Sequence, residues 1–391
     1  VKPPASPVSA VTHPDPYPYY RDLVARSPLY RDDSLGLWVA ASADAVTAVL
    51  TSPLGRVRPV AEPVPAALLG SPAADIFGRL VRMIDGPGHG IMKQAVTAAI
   101  DSMSATGARA VAERWARTLA AEIDPGASPA QLDGFTVALS THVIASLLGV
   151  PDQGLRDAER CVGRYVSAVS PAVDVERLER GKEAARDLID LVGSPVIASE
   201  TGLLSVLSRE ARRAGCEDTG AIVANAIGFM TQAYEATAGL IGNTLLALAG
   251  RPELAARIPT DSRLLDDVLR EVLRHDPPVQ NTRRFIAADG QVAGRRMAAG
   301  DTVLVVLAAA NHDAAANPEP ERFDVARTHR RTFTFGVGFH ACPGEVLAIT
   351  IARAGIEGLL SRGLPRGSLS GAVTYRPSAN VRVPLFASRT G

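Results

Sequence analysis

Cys342 is the residue whose setting points most directly to chemistry. It closes the run Phe335-Gly336-Val337-Gly338-Phe339-His340-Ala341-Cys342 and is followed by Pro343-Gly344, where a helical pattern begins. Two glycines two residues apart permit a tight loop that side chains would block. The amides of a following helix favour negative charge on a thiol. The local pattern suits a cysteine held as an anion; taken alone, it also fits a buried structural cysteine beside a glycine turn. Two further pairs share helix faces. Glu271 and Arg274 lie at i and i+3, and alone would read as a surface ion pair of little worth. His89 and Lys93 lie four apart after Asp85-Gly86-Pro87-Gly88, a spacing that also fits a solvated face.

The full run resembles, position by position, the F-G-x-G-x-(H/R)-x-C-x-G haem-binding signature of the cytochrome P450 family. The resemblance extends over nearly the whole chain. It implies a mainly α fold with a small β portion and a long central helix over haem b (iron protoporphyrin IX). It implies Cys342 as the proximal thiolate ligand of the iron, an arrangement that favours O–O cleavage. Phe335 would pack beside the thiolate, Gly336 and Gly338 would shape the loop, His340 would donate to a propionate, and Gly344 would let the next helix approach the porphyrin. Glu271 and Arg274 match the family's ExxR motif. Arg322, in Pro320-Glu321-Arg322-Phe323, matches its third structural partner. His89 and Lys93 match a propionate-binding pair in which the family commonly has Arg at the second position; lysine keeps the charge and loses the bidentate fork. Arg284 matches a further propionate arginine, and Arg283 beside it leaves that assignment open by one residue. Asn311-His312-Asp313 is similar to the family's Asn-Arg-Asp.

One departure stands out. The family's central helix usually carries A-G-x-(E/D)-T-T, whose acid and first threonine relay protons to dioxygen. Here the segment is Gln232-Ala233-Tyr234-Glu235-Ala236-Thr237. Glu235 keeps the acid, Ala236 replaces the alcohol, and Gln232 puts an amide where a small residue is usual. Thr237 is rotated by about 100° from its neighbour and is expected to turn away. A donor within hydrogen-bond reach is required for acid catalysis. The expectation is oxidation with atypical proton delivery, through water, a substrate hydroxyl or the Gln232 amide. The alternative is chemistry without ordinary dioxygen cleavage: peroxide use, radical coupling, group or nitrene-type transfer, or dehydration. A catalytically idle haem sensor is a third class. The pocket is expected to use the 60–80 loop, Phe229, Ala233, Val279 and Asn281, for a small polar-functionalised natural-product intermediate, with a fatty acid or terpene as the alternative; His142 and Tyr234 read as packing residues.

These residues need a scaffold. The chain has 391 residues, 47% of them hydrophobic and 5% aromatic, so the core must be mostly Ala, Val and Leu. No repeat or linker divides it, and one domain over 1–391 is expected. Helices are expected at 17–27, after residue 88, through most of 105–215, and at 219–250, 261–275 and from 344. Strands are expected at 37–42, 285–294 and 302–307, with a long loop over 55–80. The 219–250 pattern is apolar on most faces, as in a buried helix. The 41 Lys+Arg equal the 41 Asp+Glu, which argues against a nucleic-acid binder. Cys161, Cys216 and Cys342 are too scattered for a disulfide framework and suggest a reducing cytoplasm. The Pro-rich start reads as neither signal peptide nor membrane anchor, and its Val1 as a processed or trimmed end. With no flavin or iron–sulfur motif in the chain, a ferredoxin and its reductase are the expected electron donors, docking near His340, Arg330 and Arg331.

Overall fold

The helix Thr219–Ala249 sets the frame. The Asp218 carboxylate caps its first turn by accepting from the Ala221 amide, and its 31 residues span about 46 Å. In this computed structural model, which describes residues 2–124, 129–170, 173–198, 202–261, 263–363, 369 and 373–386, the helix is buried near both ends of its core stretch and less so in its middle. Ile222–Gly228 and Thr237–Leu245 are buried, whereas Thr231–Ala236 are not. Helices Gln131–Leu147 and Glu345–Ser361 pack along it, and Ala105–Ala121 packs on the latter. The loss of burial at mid-helix therefore marks an internal cavity. The core around these helices is built from Leu, Val, Ile and Ala, including Leu139, Ile144, Ile241 and Ile351.

A five-stranded sheet lies to one side, in the order Leu29–Asp32, Leu37–Ala40, Thr302–Val305, Thr282–Ile286, Gly55–Arg56. Leu37–Ala40 pairs in parallel with Thr302–Val305, and the other pairings are antiparallel. Side chains alternate along a strand: Arg284 and Ile286 are buried, while Arg283 and Phe285 are half-buried. Two sequence expectations change here. Within 55–80, Pro72–Arg79 is a helix rather than loop. Pro72 occupies a first-turn position, where its fixed φ suits the helix, and Ala73, Ile76 and Phe77 are buried at helical spacing. The apolar run 302–307 is a strand only to Val305, and Leu307 opens the short helix Leu307–Asn311.

The helix Leu264–His275 carries Glu271 and Arg274, whose side chains are both fully buried. Their closest contact is 2.6 Å. Arg274 also donates to the carbonyls of Pro320 at 2.7 Å and Arg322 at 3.0 Å. Glu271 accepts from the Asp324 amide at 3.0 Å and from Arg330 at 2.9 Å, with Arg327 at 3.7 Å. The expected third partner is thus corrected. The Arg322 side chain is 62% exposed and meets Glu319 and Asp324; it contributes its backbone carbonyl, and Arg330 supplies the second guanidinium. Arg330 comes from the segment that returns past the helix, where an inward-facing side chain reaches the carboxylate.

Burial alone would raise the Glu271 pKa, but Arg274, the Asp324 amide and Arg330 outweigh it and hold the carboxyl low. Its contribution to stability is complete above the ordinary glutamate value of about 4.3 and is lost as pH falls through the lower folded value. Glu271→Ala removes the counter-charge of Arg274, Arg330 and Arg327 and should lower the unfolding free energy by about 3–5 kcal/mol. Arg322→Ala should cost less than about 0.5 kcal/mol. Urea denaturation of the two variants followed by circular dichroism checks this, and equal losses would contradict it.

Candidate active site

The cysteine loop closes on itself. Gly336 and Gly338 take φ values of +69° and +75°, a region that residues with a Cβ rarely adopt. The Cys342 amide donates to the Phe335 carbonyl at 2.8 Å and the Ala341 amide to Gly338 at 3.1 Å. The Gly344 amide donates to the Cys342 sulfur at 3.4 Å, and the helix Glu345–Ser361 follows. The sulfur is exposed, yet to a cavity of about 1340 Å³ that it helps to line together with Phe335 and Gly336.

The sequence led us to expect a thiol biased toward its anion. The balance falls the other way. Burial pushes the Cys342 pKa up, and the Gly344 amide and Lys93 pull it down without reversing the shift. The loop offers a sulfur with donors around it, and a cation must complete the thiolate, as a coordinated metal does.

Beside the sulfur the cavity wall is cationic. His89 and Lys93 come from the helix Pro87–Asp101, Arg284 from its strand, and His340 from the cysteine loop; all four line the cavity. The His89 and His340 rings lie 4.0 Å apart. Burial, His340 and Lys93 push the His89 pKa down to about 4. Lys93 donates to the Ala341 carbonyl, and burial lowers its pKa. Arg284 is buried, its pKa lowered by burial, and its hydrogen bond goes to the Arg283 carbonyl at 2.9 Å. Of the two neighbouring arginines, the alternation of the strand buries Arg284. His340 faces Asp85 at 3.1 Å; burial would raise the Asp85 pKa, but His340, the Val57 amide and Arg56 hold it low.

Lys93 and Arg284, with the His89 and His340 imidazoles and one nearby carboxylate, form a site for a dianion at the cavity edge, and Cys342, whose sulfur accepts from the Gly344 amide, offers a ligand at its floor. The residues present therefore fit a haem, whose propionates His89, Lys93, Arg284 and His340 would hold and whose iron Cys342 would ligate.

On the opposite wall stands the middle of Thr219–Ala249. Phe229, Gln232, Ala233, Ala236, Thr237 and Leu240 line the cavity. Residues 233, 236, 237 and 240 form one helical stripe, so Thr237 stays on the wall although the sequence reading turned it away. It is buried, and among the described residues no hydrogen bond is shown for its hydroxyl. Glu235 meets Arg376 at 3.6 Å. Burial raises the Glu235 pKa and Arg376 opposes the rise. Sequence reasoning missed Arg376, which comes from a distant C-terminal strand region and had no motif to mark it. Val279 and Asn281 also line the cavity, but the Asn281 amide is held by the Ala379 carbonyl at 2.8 Å. Tyr234 packs against Val137 and Val381. His142 is buried against Trp115 and meets Glu159 at 3.1 Å. His312, in place of the family's arginine, donates from Nε2 to the His275 carbonyl at 2.8 Å and stacks on Tyr17.

A sequence profile of the cytochrome P450 family matches residues 203–362. The 20-oxo-5-O-mycaminosyltylactone 23-monooxygenase of Streptomyces fradiae is 28% identical over 364 residues, covering 92% of this chain and 85% of the relative. The 6-deoxyerythronolide B hydroxylase of Saccharopolyspora erythraea is 28% identical over 368 residues, covering 90% and 89%. The crystal structure of CalO2 superposes with a TM-score of 0.80 at 26% identity, over 95% of this chain and 94% of that one. If Arg284 holds a propionate, Arg284→Leu should release haem to apomyoglobin at least about tenfold faster, since removing a buried charge partner acts on the off-rate. Surface Arg331→Gln should leave the rate unchanged. Equal release rates would contradict the assignment.

Proposed function

The chain belongs to the cytochrome P450 family, and from that premise we propose that it oxidises a small natural-product-like molecule with proton delivery that does not use the family's usual alcohol. The relatives named above act on 20-oxo-5-O-mycaminosyltylactone and on 6-deoxyerythronolide B, as their names state. The enzyme is a P450 monooxygenase-type oxidoreductase, and the family's cofactor is haem b bound through a cysteine thiolate. That group supplies a thiolate-ligated iron able to activate oxygen or peroxide.

The observation that carries the reading is Ala236 on the cavity wall, with Glu235 beside it turned toward Arg376. A methyl group at residue 236 can neither donate nor accept a proton. Glu235 is raised by burial, so it holds its proton at a higher pH than an ordinary glutamate. Arg376, at 3.6 Å, is loosely paired and can release it. Thr237 and Gln232 supply a hydroxyl and an amide on the same wall, where each can hold a water between Glu235 and the reacting face. This relay is longer than one built on a hydroxyl at residue 236. The same alanine favours a second reading, in which turnover is driven by peroxide or by a group already on the substrate.

A ferredoxin is the electron donor we propose. Phe339 and Val346 are 74% and 69% exposed beside the cysteine loop, and exposed apolar side chains at one place mark contact surfaces. Arg331 is exposed there, while Arg330 is committed to Glu271, so the expected basic pair reduces to one arginine. The free thiols of Cys161, Cys216 and Cys342 support a reducing cytoplasm as its compartment. Among the described residues no helix is long and apolar enough to cross a membrane.

The test is a comparison of peroxide released per NADH consumed, with a ferredoxin and its reductase as donors, in the wild type and Ala236→Thr. The wild type should leak peroxide and Ala236→Thr should leak severalfold less. Glu235→Gln should lower reductant-driven turnover about a hundredfold, the lower range for a lost general acid, and leave peroxide-driven turnover nearly unchanged. Tight coupling in the wild type, unaltered by Ala236→Thr, would sink the proposed delivery. Turnover with peroxide and none with NADH would favour the second reading.

A further inference from the structure

Arg82 stands in the cavity wall beside a turn that the central helix holds in place. The turn Val81–Met83 joins the helix Pro72–Arg79 to the helix Pro87–Asp101. It is pinned from the central helix by Asn225, which accepts from the Val81 amide at 2.8 Å and donates to the Arg79 carbonyl at 2.8 Å. Arg79 itself pairs with Asp75 at 3.1 Å and Asp218 at 3.0 Å. Arg82, three residues on, lines the cavity and is exposed to it. Among the described residues no hydrogen bond or ion pair is shown for it.

Tyr165, on the helix Leu155–Ala168, lines the same cavity, and its hydroxyl is buried with no hydrogen-bond partner among the described residues. Burial raises the Tyr165 pKa, and the Arg82 charge opposes the rise. The cavity's own carboxylates are engaged elsewhere. Glu235 meets Arg376, and Glu159 meets His142 and Arg156. Asp85, beside the cluster we assign to propionates, acts on Arg284.

Water filling the free cavity can hydrate Arg82. A ligand that fills the cavity displaces that water. It must then bring an anion or leave a bare guanidinium in a desolvated space, which is costly. Phe77, Ile100, Val166 and Phe229 line the same cavity and offer apolar surface. One guanidinium matches one negative charge, and its planar fork matches the two oxygens of a carboxylate. Tyr165 adds a third donor.

We propose that Arg82, with Tyr165, is an anion-recognition subsite of the substrate cavity, and that the substrate carries a carboxylate on an apolar body. This rests on the reading of the cavity as a haem enzyme's substrate site. The test is calorimetric titration of the holoenzyme with dodecanoate and with naphthoate, each beside its methyl ester. The wild type should bind at least one acid about tenfold or more tighter than its ester, in line with a charge-assisted bidentate contact. Arg82→Gln should reduce that preference to less than about twofold with haem content unchanged, and Arg82→Lys should keep part of it. Tyr165→Phe should weaken acid binding severalfold without affecting the ester. The inference is overturned if neither acid binds, if acid and ester bind equally to the wild type, or if Arg82→Gln keeps the preference. A wild-type protein that retains no haem overturns the reading of the cavity itself; retained haem without an acid preference overturns the Arg82 subsite alone.

Discussion

A fully buried guanidinium must place its donors inside the protein, and Arg274 dictates much of what surrounds it. Its five N–H groups reach the Glu271 carboxylate and the carbonyls of Asn311, Pro320 and Arg322. Asn311 ends the helix Leu307–Asn311, and Pro320 and Arg322 belong to the irregular segment that runs from it to the cysteine loop. Asn311 extends the tie, donating to Leu273 and accepting from the Phe333 amide at 2.7 Å. The loop therefore inherits its position from a helix it does not touch in sequence. Breaking the buried pair would cost more than the pair itself contributes, because it would strand charge in a dry interior.

The cavity inverts the usual economy of such charges. Behind the loop, Glu271 answers Arg274 and Arg330 with short contacts. In the cavity, Arg284 and Arg82 have no carboxylate of the chain within hydrogen-bond reach among the described residues. A buried cation without a carboxylate, as at Arg284, is costly, and Arg82 becomes one when a ligand displaces the water that hydrates it, so both point to anions arriving from elsewhere. We assign two sources, the propionates of the prosthetic group near Arg284 and the substrate near Arg82. The thiol fits the same logic from the other side: burial keeps it neutral until a metal cation shares it.

How much of this was legible in sequence depends on whether a feature is local. The cysteine loop was, because Gly336 and Gly338 are needed for backbone angles set within the loop itself. The central helix was, because its apolar residues surround it and Gly250 ends it. The partner of Glu271 was not: Arg322, Arg327 and Arg330 are close in sequence, and which of them faces inward is decided by how the segment folds back. The helix Pro72–Arg79 was hidden by prolines around it, although Ala73, Ile76 and Phe77 carry its spacing. Thr237 was misplaced because a rotation of about 100° is too small to leave a wide cavity wall. Arg376 and Arg82 carry no motif, and their significance lies in what stands, or does not stand, across from them.

The central claim is that Cys342, at the cavity floor, would ligate the haem iron through its sulfur. The most direct measurement is the absorption spectrum of the reduced protein under carbon monoxide. The account predicts the red-shifted Soret band of a thiolate-ligated haem in the wild type and its loss in Cys342→Ser with haem still bound. A wild-type band at the position typical of histidine-ligated haem, or an unchanged red-shifted band in Cys342→Ser, would contradict it.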